Sequence, residues 1–247
     1  MPYNIIVCVK QIADEVRIDP STNEPVISNP QYRMEDLSKN AVEEAVRIKE
    51  KYGGKITALM FCSDSSTPVM KEALAMGADE GIIITGYKEN SPDFSAAVLA
   101  EKIKSLQYDI VIAGYASADS YTAQIPARLS KLLGVPLLGS AIKVDISGKK
   151  IDILREADDL DIKESADMPA VISVTQETNQ PRLPLLANII ASARKPLKVE
   201  ATAVQYKETS KIISDKAQQS SRKRIIYEDI NKGVQEITKV LKQEVAV

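Results

Sequence analysis

Four short apolar runs, each followed by a stretch with helical periodicity, restrict this chain's fold more than any other feature of it. Tyr3–Val9 (YNIIVCV), Lys55–Phe61, Glu80–Thr85 and Asp109–Ala113 have strand length and almost continuous hydrophobicity, the pattern of strands covered on both faces. Leu37, Ala41, Ala45, Ile48 and Tyr52 then share one helical face, and Gly53-Gly54 stops that helix. Ser65–Met76 reads as a second helix ended by Gly77. Ala96, Leu99, Ala100, Ile103 and Leu106 stripe a third. Ile125, Leu129, Leu132 and Leu133 stripe a fourth, which Gly134-Val135-Pro136 ends. Strands and helices alternating at this spacing need right-handed crossovers, so the fold class is α/β on a parallel sheet. At 247 residues the chain can bury a large core as one domain, or as a domain with an appendage.

The pattern changes after Pro136. Ala141–Asp145 and Lys150–Arg155 flank Ser147-Gly148, a hairpin signature, and Ala170–Thr175 is one more buried strand. Lys10–Met34 reads as a long loop excursion, and Thr178–Lys198 holds three prolines and apolar residues without a clean period. Composition makes Lys207–Arg224 extended or disordered. Ile230, Val234, Ile237 and Leu241 then stripe a last helix, marginal alone and expected to dock on something, a partner chain included. The expected organisation is a domain over 1–206, with an irregular loop at 178–198, and an extension over 207–247.

Absences remove whole classes of function. The chain has no histidine, which excludes imidazole bases, Ser-His-Asp and Cys-His chemistry and the common zinc sites. Its two cysteines, Cys8 and Cys62, make no C-x-x-C pair, which suits a reducing, cytoplasmic location. No apolar run approaches the roughly 20 residues of a membrane-spanning helix. A net charge of −2, no tryptophan and 4% aromatic residues argue against nucleic acid as a partner. Neither G-x-G-x-x-G nor G-x-x-x-x-G-K-[ST] occurs, which disfavours a standard dinucleotide site and a P-loop NTPase. The acidic pairs Asp14-Glu15, Glu35-Asp36, Glu43-Glu44 and Asp158-Asp159 read as solvated, solubilising carboxylates rather than metal ligands.

Ligands of open parallel sheets bind beyond the carboxyl ends of the strands, where strand order reverses. The loops there are Cys8–Lys10, Met60–Asp64 and Gly114–Thr122. In the last, Gly114 allows close backbone approach, and Ser117, Ser120 and Thr122 supply hydroxyls. A helix opening at Thr122-Ala123-Gln124 would offer unpaired N–H groups to a phosphate. The same features suit an ordinary βα loop with a Ser or Thr cap. Cys8, at a strand end and without a histidine, reads as a small buried hydrophobe.

Several segments in order resemble the β subunit of electron-transfer flavoproteins. They are Cys8-Val9-Lys10, Asn40–Val46 (NAVEEAV), Ala73–Asp79 (ALAMGAD), Asp109–Gly114 (DIVIAG), Thr122-Ala123-Gln124, Asn179–Arg182 (NQPR) and Leu186–Ile189 (LANI). They span residues 3 to about 198. The resemblance implies a Rossmann-like, adenine-nucleotide-binding (α-hydrolase-like) fold with a C-terminal extension that wraps a partner. It implies a heterodimer with an α subunit that carries the working FAD. Electrons would pass from acyl-CoA or other dehydrogenases, as in fatty acid oxidation, to a membrane quinone oxidoreductase. The β subunit would do no bond chemistry, so it is not an enzyme in its own right. It would hold a buried AMP or, in bifurcating members, a second FAD. The competing reading from another class is a stand-alone adenine-nucleotide-binding protein.

The same resemblance places the nucleotide near Cys8, Glu35, Asp36, Leu37, Ser38, Ala58, Phe61, Gly114, Tyr115, Asp119, Ser120, Tyr121, Thr122, Ala123, Gln124 and Ile125. It places partner recognition at about 181–195, on Pro181, Arg182, Leu186, Asn188 and Ile189. Leu186 is the anchoring side chain of that loop, where one buried aliphatic contributes roughly 1.5–3 kcal/mol; the alternative is that it packs in its own core. The chain departs from the family's pattern in having Tyr115 where Lys or Arg is common after the glycine. It also has Asp119 alone among nearby acids, Pro126 in place of a glycine, and Glu35-Asp36-Leu37 for Asn-Pro-Phe. Loss of a cation beside Gly114 would leave backbone N–H groups and hydroxyls to hold the phosphate. Tyr121 would stack on a ring or fill part of the pocket.

Overall fold

The computed structural model describes residues 2–26, 31–63, 67–88, 91–205, 207, 212–218 and 225–244. Its strands are β1 (Tyr3–Val9), β2 (Gln11–Ala13), β3 (Arg17–Ile18), β4 (Pro25–Val26), β5 (Tyr32–Met34), β6 (Gly54–Cys62), β7 (Glu80–Thr85), β8 (Ile110–Gly114), β9 (Leu137–Ala141), β10 (Lys143–Ser147), β11 (Lys150–Ala157), β12 (Leu160–Asp167), β13 (Ala170–Val174) and β14 (Leu197–Ala201). The helices are α1 (Asp36–Tyr52), α2 (Thr67–Met76), α3 (Pro92–Lys104), α4 (Ile125–Leu133), α5 (Leu186–Ser192) and α6 (Ile230–Glu244). Asp64 and Ser65 lie outside the described residues, as does much of 207–224.

Seven strands form one sheet in the order β14-β7-β6-β1-β8-β13-β9, and every pairing in it is parallel. The fold is therefore α/β and Rossmann-like. From β1 the chain builds outward through β6 and β7, then returns to place β8 on the other side of β1, so strand order reverses between β1 and β8. The near-continuous apolar strands are explained by what covers them. Ile5, Val7 and Val9 of β1 join one core with α1 and α2 residues such as Ala41, Ala45, Val69 and Met70. Ile6 and Cys8 join the other with Phe94, Leu99, Ile103 and Leu129 of α3 and α4. Every β1 residue except Asn4 is buried, as double coverage demands.

The hairpin after Pro136 exists as β10 and β11, extended by β12 into an antiparallel three-stranded sheet. Ile146, Ile151 and Ile153 close the α1 side of the core, and Tyr3 and Tyr52 donate hydroxyl hydrogen bonds to the carbonyls of Gly148 and Ile146. The stretch without a clean period, 178–198, holds a short helix and the start of an edge strand. The chain must carry on from β13, near one side of the sheet, to β14 at the far edge. It does so over the α1/α2 face, with α5 packed on α2.

By compactness the chain divides into Met1–Arg17 with Ile27–Ser214, and Ile18–Val26 with Asp215–Val247. The second unit contains α6 and a turn in which the Asp19 carboxylate accepts hydrogen bonds from the N–H groups of Ser21 and Thr22, while Asn23 O accepts from Ala217 N. Among the described residues no helix is long and apolar enough to cross a membrane.

Candidate functional site

A cleft of about 180 Å³ opens at the carboxyl ends of β1 and β8, where the strand order reverses. Of the residues singled out from sequence, Cys8, Glu35, Ser38, Phe61, Gly114, Tyr115, Ser120, Thr122, Ala123, Gln124 and Ile125 line it. Asp36, Leu37, Asp119 and Tyr121 are not part of that lining. Ala58 does not come to the cleft at all. Strand alternation turns it to the opposite face of the sheet, where it is wholly buried against the α1/α2 core.

Three further groups complete the lining, and of their residues the sequence points to Ser117 and, through the Cys8–Lys10 loop, to Lys10. Tyr87, Ser91, Pro92, Ser95 and Leu99 come from the region around the start of α3. Phe61 sits edge-on to both Tyr87 and Phe94, with ring centroids 5.5 and 5.4 Å away, which builds an apolar wall at the end of β6. Ala113, Ala116, Ser117 and Pro126 complete the β8–α4 side. Val9 and Lys10 complete the β1 end, and Lys10 corrects the expectation that the site has lost its cation. Lys10 Nζ donates to Ser117 Oγ at 2.9 Å and pairs with Asp119 at 2.6 Å, with Ser120 Oγ at 3.4 Å. The positive charge comes from the end of β1 instead of from the residue after Gly114. Partial burial pushes the Asp119 carboxyl up, but Lys10 and Ser117 outweigh it and hold the group below its ordinary range.

The β8–α4 loop also differs from its sequence reading. The helix does not open at Thr122 but at Ile125, because Tyr121 and Ala123 adopt left-handed backbone (φ 45° and 53°). That conformation is rare for residues with a Cβ. The tyrosine hydroxyls of 115 and 121 are hydrogen-bonded, and their rings meet edge-on at 6.0 Å. Tyr121 is exposed and so does not fill the pocket. The α4 N-cap residue, Gln124, makes no capping bond; its Oε1 accepts from Arg128, which also pairs with Asp93. The N–H groups at the start of α4 thus lack a side-chain cap, beside a lysine and three hydroxyls. This is the chemistry of an anion site. Gly114 serves packing: a Cβ there would lie 2.7 Å from Leu37 Cβ, so the missing side chain lets the start of α1 approach β8.

Glu35 and Ser38 contribute differently. Glu35 caps α1, its Oε2 accepting from Ser38 N at 2.8 Å, and Ser38 Oγ accepts from Lys10 N at 3.0 Å. Glu35, Glu43 and Glu44 are all buried, which corrects their reading as solvated pairs. Among the described residues no acidic cluster could hold a metal ion. Cys8 lines the cleft, yet burial pushes its thiol up to about 12. At pH 8 its reaction with iodoacetamide is expected to be at least about a hundredfold slower in the folded protein than in urea, as thiolate supply dictates. Mass-spectrometric labelling rates check this, and equal rates would contradict it.

The second feature is the segment from Asn179 to Lys195. Arg182 donates to Glu43 (2.8 Å from Nε) and Glu50 (2.6 Å from Nη1), fixing its start on α1. Asn40 and Asn179 are mutually hydrogen-bonded, and Asn179 also donates to Glu44. At the other end Lys195 Nζ donates to the carbonyls of Leu74 and Ala78, capping the carboxyl end of α2. Between these stakes Leu183, Leu185, Leu186, Ile189 and Ile190 face solvent, Leu186 at 73% exposure, so Leu186 does not pack in its own core. Pro181 is half-buried and Asn188 exposed beside them. The stretch expected to be irregular is helical over Leu186–Ser192.

Comparison with known proteins bears on both features. The electron transfer flavoprotein domain matches residues 26–205. The chain is 35% identical over 206 residues to the electron transfer flavoprotein subunit beta of Thermoanaerobacterium thermosaccharolyticum, covering 78% of this chain and 75% of that protein. It is 34% identical to the subunits of the same name from Syntrophomonas wolfei, covering 82% and 81% of the two chains, and Clostridium acetobutylicum, covering 79% and 77%. A matched domain over most of the chain, with relatives aligned over three-quarters of their length, shows that the chain belongs to the electron-transfer flavoprotein family, among its β subunits.

Proposed function

We propose that this subunit is the non-catalytic half of a heterodimer, holding AMP in the cleft between β1 and β8 while an α subunit carries the redox-active FAD. The observation that carries this reading is the two-ended cleft. One end offers Lys10, Ser117, Ser120 and the start of α4 to a phosphate, and the other offers Phe61, Tyr87 and Leu99 to a flat base. FAD bound by the pair would accept electrons from a dehydrogenase and release them to a quinone reductase. This chain would contribute binding, rigidity and a docking surface. A position in the cytoplasm is part of the same proposal.

Two surfaces support the assignment of partners. The staked apolar segment around Leu186 suits an acyl-CoA or other dehydrogenase, since a projecting aliphatic held on a rigid base loses little entropy on docking. In the extension over 207–247, Ile230, Val234, Ile237 and Leu241 of α6 are exposed at helical spacing, a face suited to wrapping the α subunit. Co-expression with the cognate α subunit should yield a yellow heterodimer that releases one AMP per β chain when denatured, read by mass spectrometry. Release of FAD from the β chain would assign the bifurcating alternative. Failure to form any flavin-containing complex would defeat the proposal.

A further inference from the structure

Glu35 is 2% exposed and yet lines the cleft. Its Oε2 is committed to Ser38, through N at 2.8 Å and Oγ at 3.4 Å; among the described residues Oε1 takes no hydrogen bond. A largely buried carboxylate whose second oxygen is unbonded but still accessible at the cleft wall is an acceptor open to a donor bound there. The cleft also has a direction. Cys8, Glu35, Ser38, Phe61 and Ala113 are buried parts of its wall, whereas Lys10, Ser117, Ser120 and Thr122 are half-buried or exposed. A phosphate, costly to desolvate, belongs by the half-exposed Lys10 Nζ and the exposed hydroxyls, and the base belongs among the buried wall residues, Glu35 and Phe61 included. Arg128 is unavailable to balance Glu35, since it is tied to Asp93 and Gln124.

Resting on the nucleotide reading above, we propose that Glu35 is the specificity-determining residue of the cleft, selecting a 6-aminopurine nucleotide by accepting the hydrogen of the exocyclic amine on Oε1. A 6-oxopurine would present an oxygen lone pair to that same oxygen and leave Oε1 without a donor. Sites built around such a hydrogen bond reject analogues lacking the donor far more strongly than apolar pockets do. Glutamine at this position keeps the α1 cap through its own carbonyl oxygen and turns an NH2 group toward the cleft, so it exchanges acceptor for donor.

The test is calorimetric titration of the nucleotide-stripped protein, wild type and Glu35→Gln, with AMP, inosine 5′-monophosphate and 2′-deoxy-AMP. Wild type should bind AMP at least about tenfold tighter than the inosine nucleotide, and 2′-deoxy-AMP nearly as well as AMP. Glu35→Gln should lose AMP affinity and gain inosine nucleotide affinity, bringing the ratio to about one or below. An unchanged ratio in the variant overturns the inference, and so does a larger loss for 2′-deoxy-AMP, which would mark a ribose hydroxyl as the donor. If the variant does not fold, the wild-type ratio decides, equal affinities counting against. Wild type binding none of the three would defeat the nucleotide reading itself, while AMP binding with no discrimination defeats only the role of Glu35.

Discussion

Arg182→Ala should lower the stability of the larger unit by about 3 kcal/mol, the low end of what breaking a buried ion pair costs. Glu43 retains only 4% side-chain exposure, while Arg182 retains 36%, so the loss falls mainly on a carboxylate left inside without its main partner. Arg47 still donates to Glu43 Oε1 at 3.0 Å, which is why the low end applies. In a unit of this size that loss is roughly 6–12 °C in melting temperature. Arg182→Lys should recover part of it, because a lysine keeps the charge but not the forked contact with two carboxylates. A melting temperature within about a degree of wild type would show that the clamp is ornamental.

The pH dependence gives an independent check on the same cluster. Burial pushes Glu43 up, but the side chain and backbone N–H of Arg182, with Arg47, outweigh it and hold the carboxyl low; the Arg182 hydrogen bond lowers Glu50 likewise. A carboxyl lowered in the native state stabilises fully above its unfolded value, near 4.5, and loses that contribution as pH falls through the native value. The gap between wild type and Arg182→Ala should therefore be widest above pH 5 and close below it. Glu44 acts oppositely. Desolvation raises it despite Asn179, so its contribution is present in acid and fades as pH rises through its native value. Urea midpoints at several pH values separate the two signs. A gap independent of pH would show that packing, not charge, explains Arg182.

Much of the frame was legible in the sequence because burial on both faces leaves a signature in single strands. Tyr3–Val9 and Glu80–Thr85 agree with the observed strands to the residue. Local pattern could not supply order across the sheet. Nothing in Leu197–Ala201 says that it pairs beside Glu80–Thr85, and with three of its five residues exposed it lacks the apolar run that identified the others. The buried state of Glu43 and Glu44 was invisible for a related reason. Adjacent carboxylates look solvated until distant residues, Arg182 for Glu43 and Asn179 for Glu44, are brought onto them. At the cleft, the loops were found from strand ends alone, while the α3 contribution and the reach of Lys10 depend on side-chain directions that spacing does not carry.

Lys10 therefore makes the most discriminating variant for function. It is half-exposed and paired with an exposed Asp119, and pairs of that kind contribute about 0–1 kcal/mol to folding. Lys10→Met should leave the melting temperature almost unchanged while keeping the aliphatic stem. Toward a phosphate the same ammonium is a charge-assisted donor worth roughly 2–3 kcal/mol, so AMP affinity should fall about 30- to 150-fold. Asp119 makes the loss steeper, because without Lys10 its carboxylate repels the incoming phosphate. Asp119→Asn should accordingly tighten AMP binding by several-fold at low salt, with the gain shrinking as ionic strength screens it. Titrations of both variants decide the matter. Undiminished affinity in Lys10→Met would mean that the phosphate lies elsewhere in the cleft, and weaker binding in Asp119→Asn would mean that Asp119 holds the lysine in place instead of competing for it.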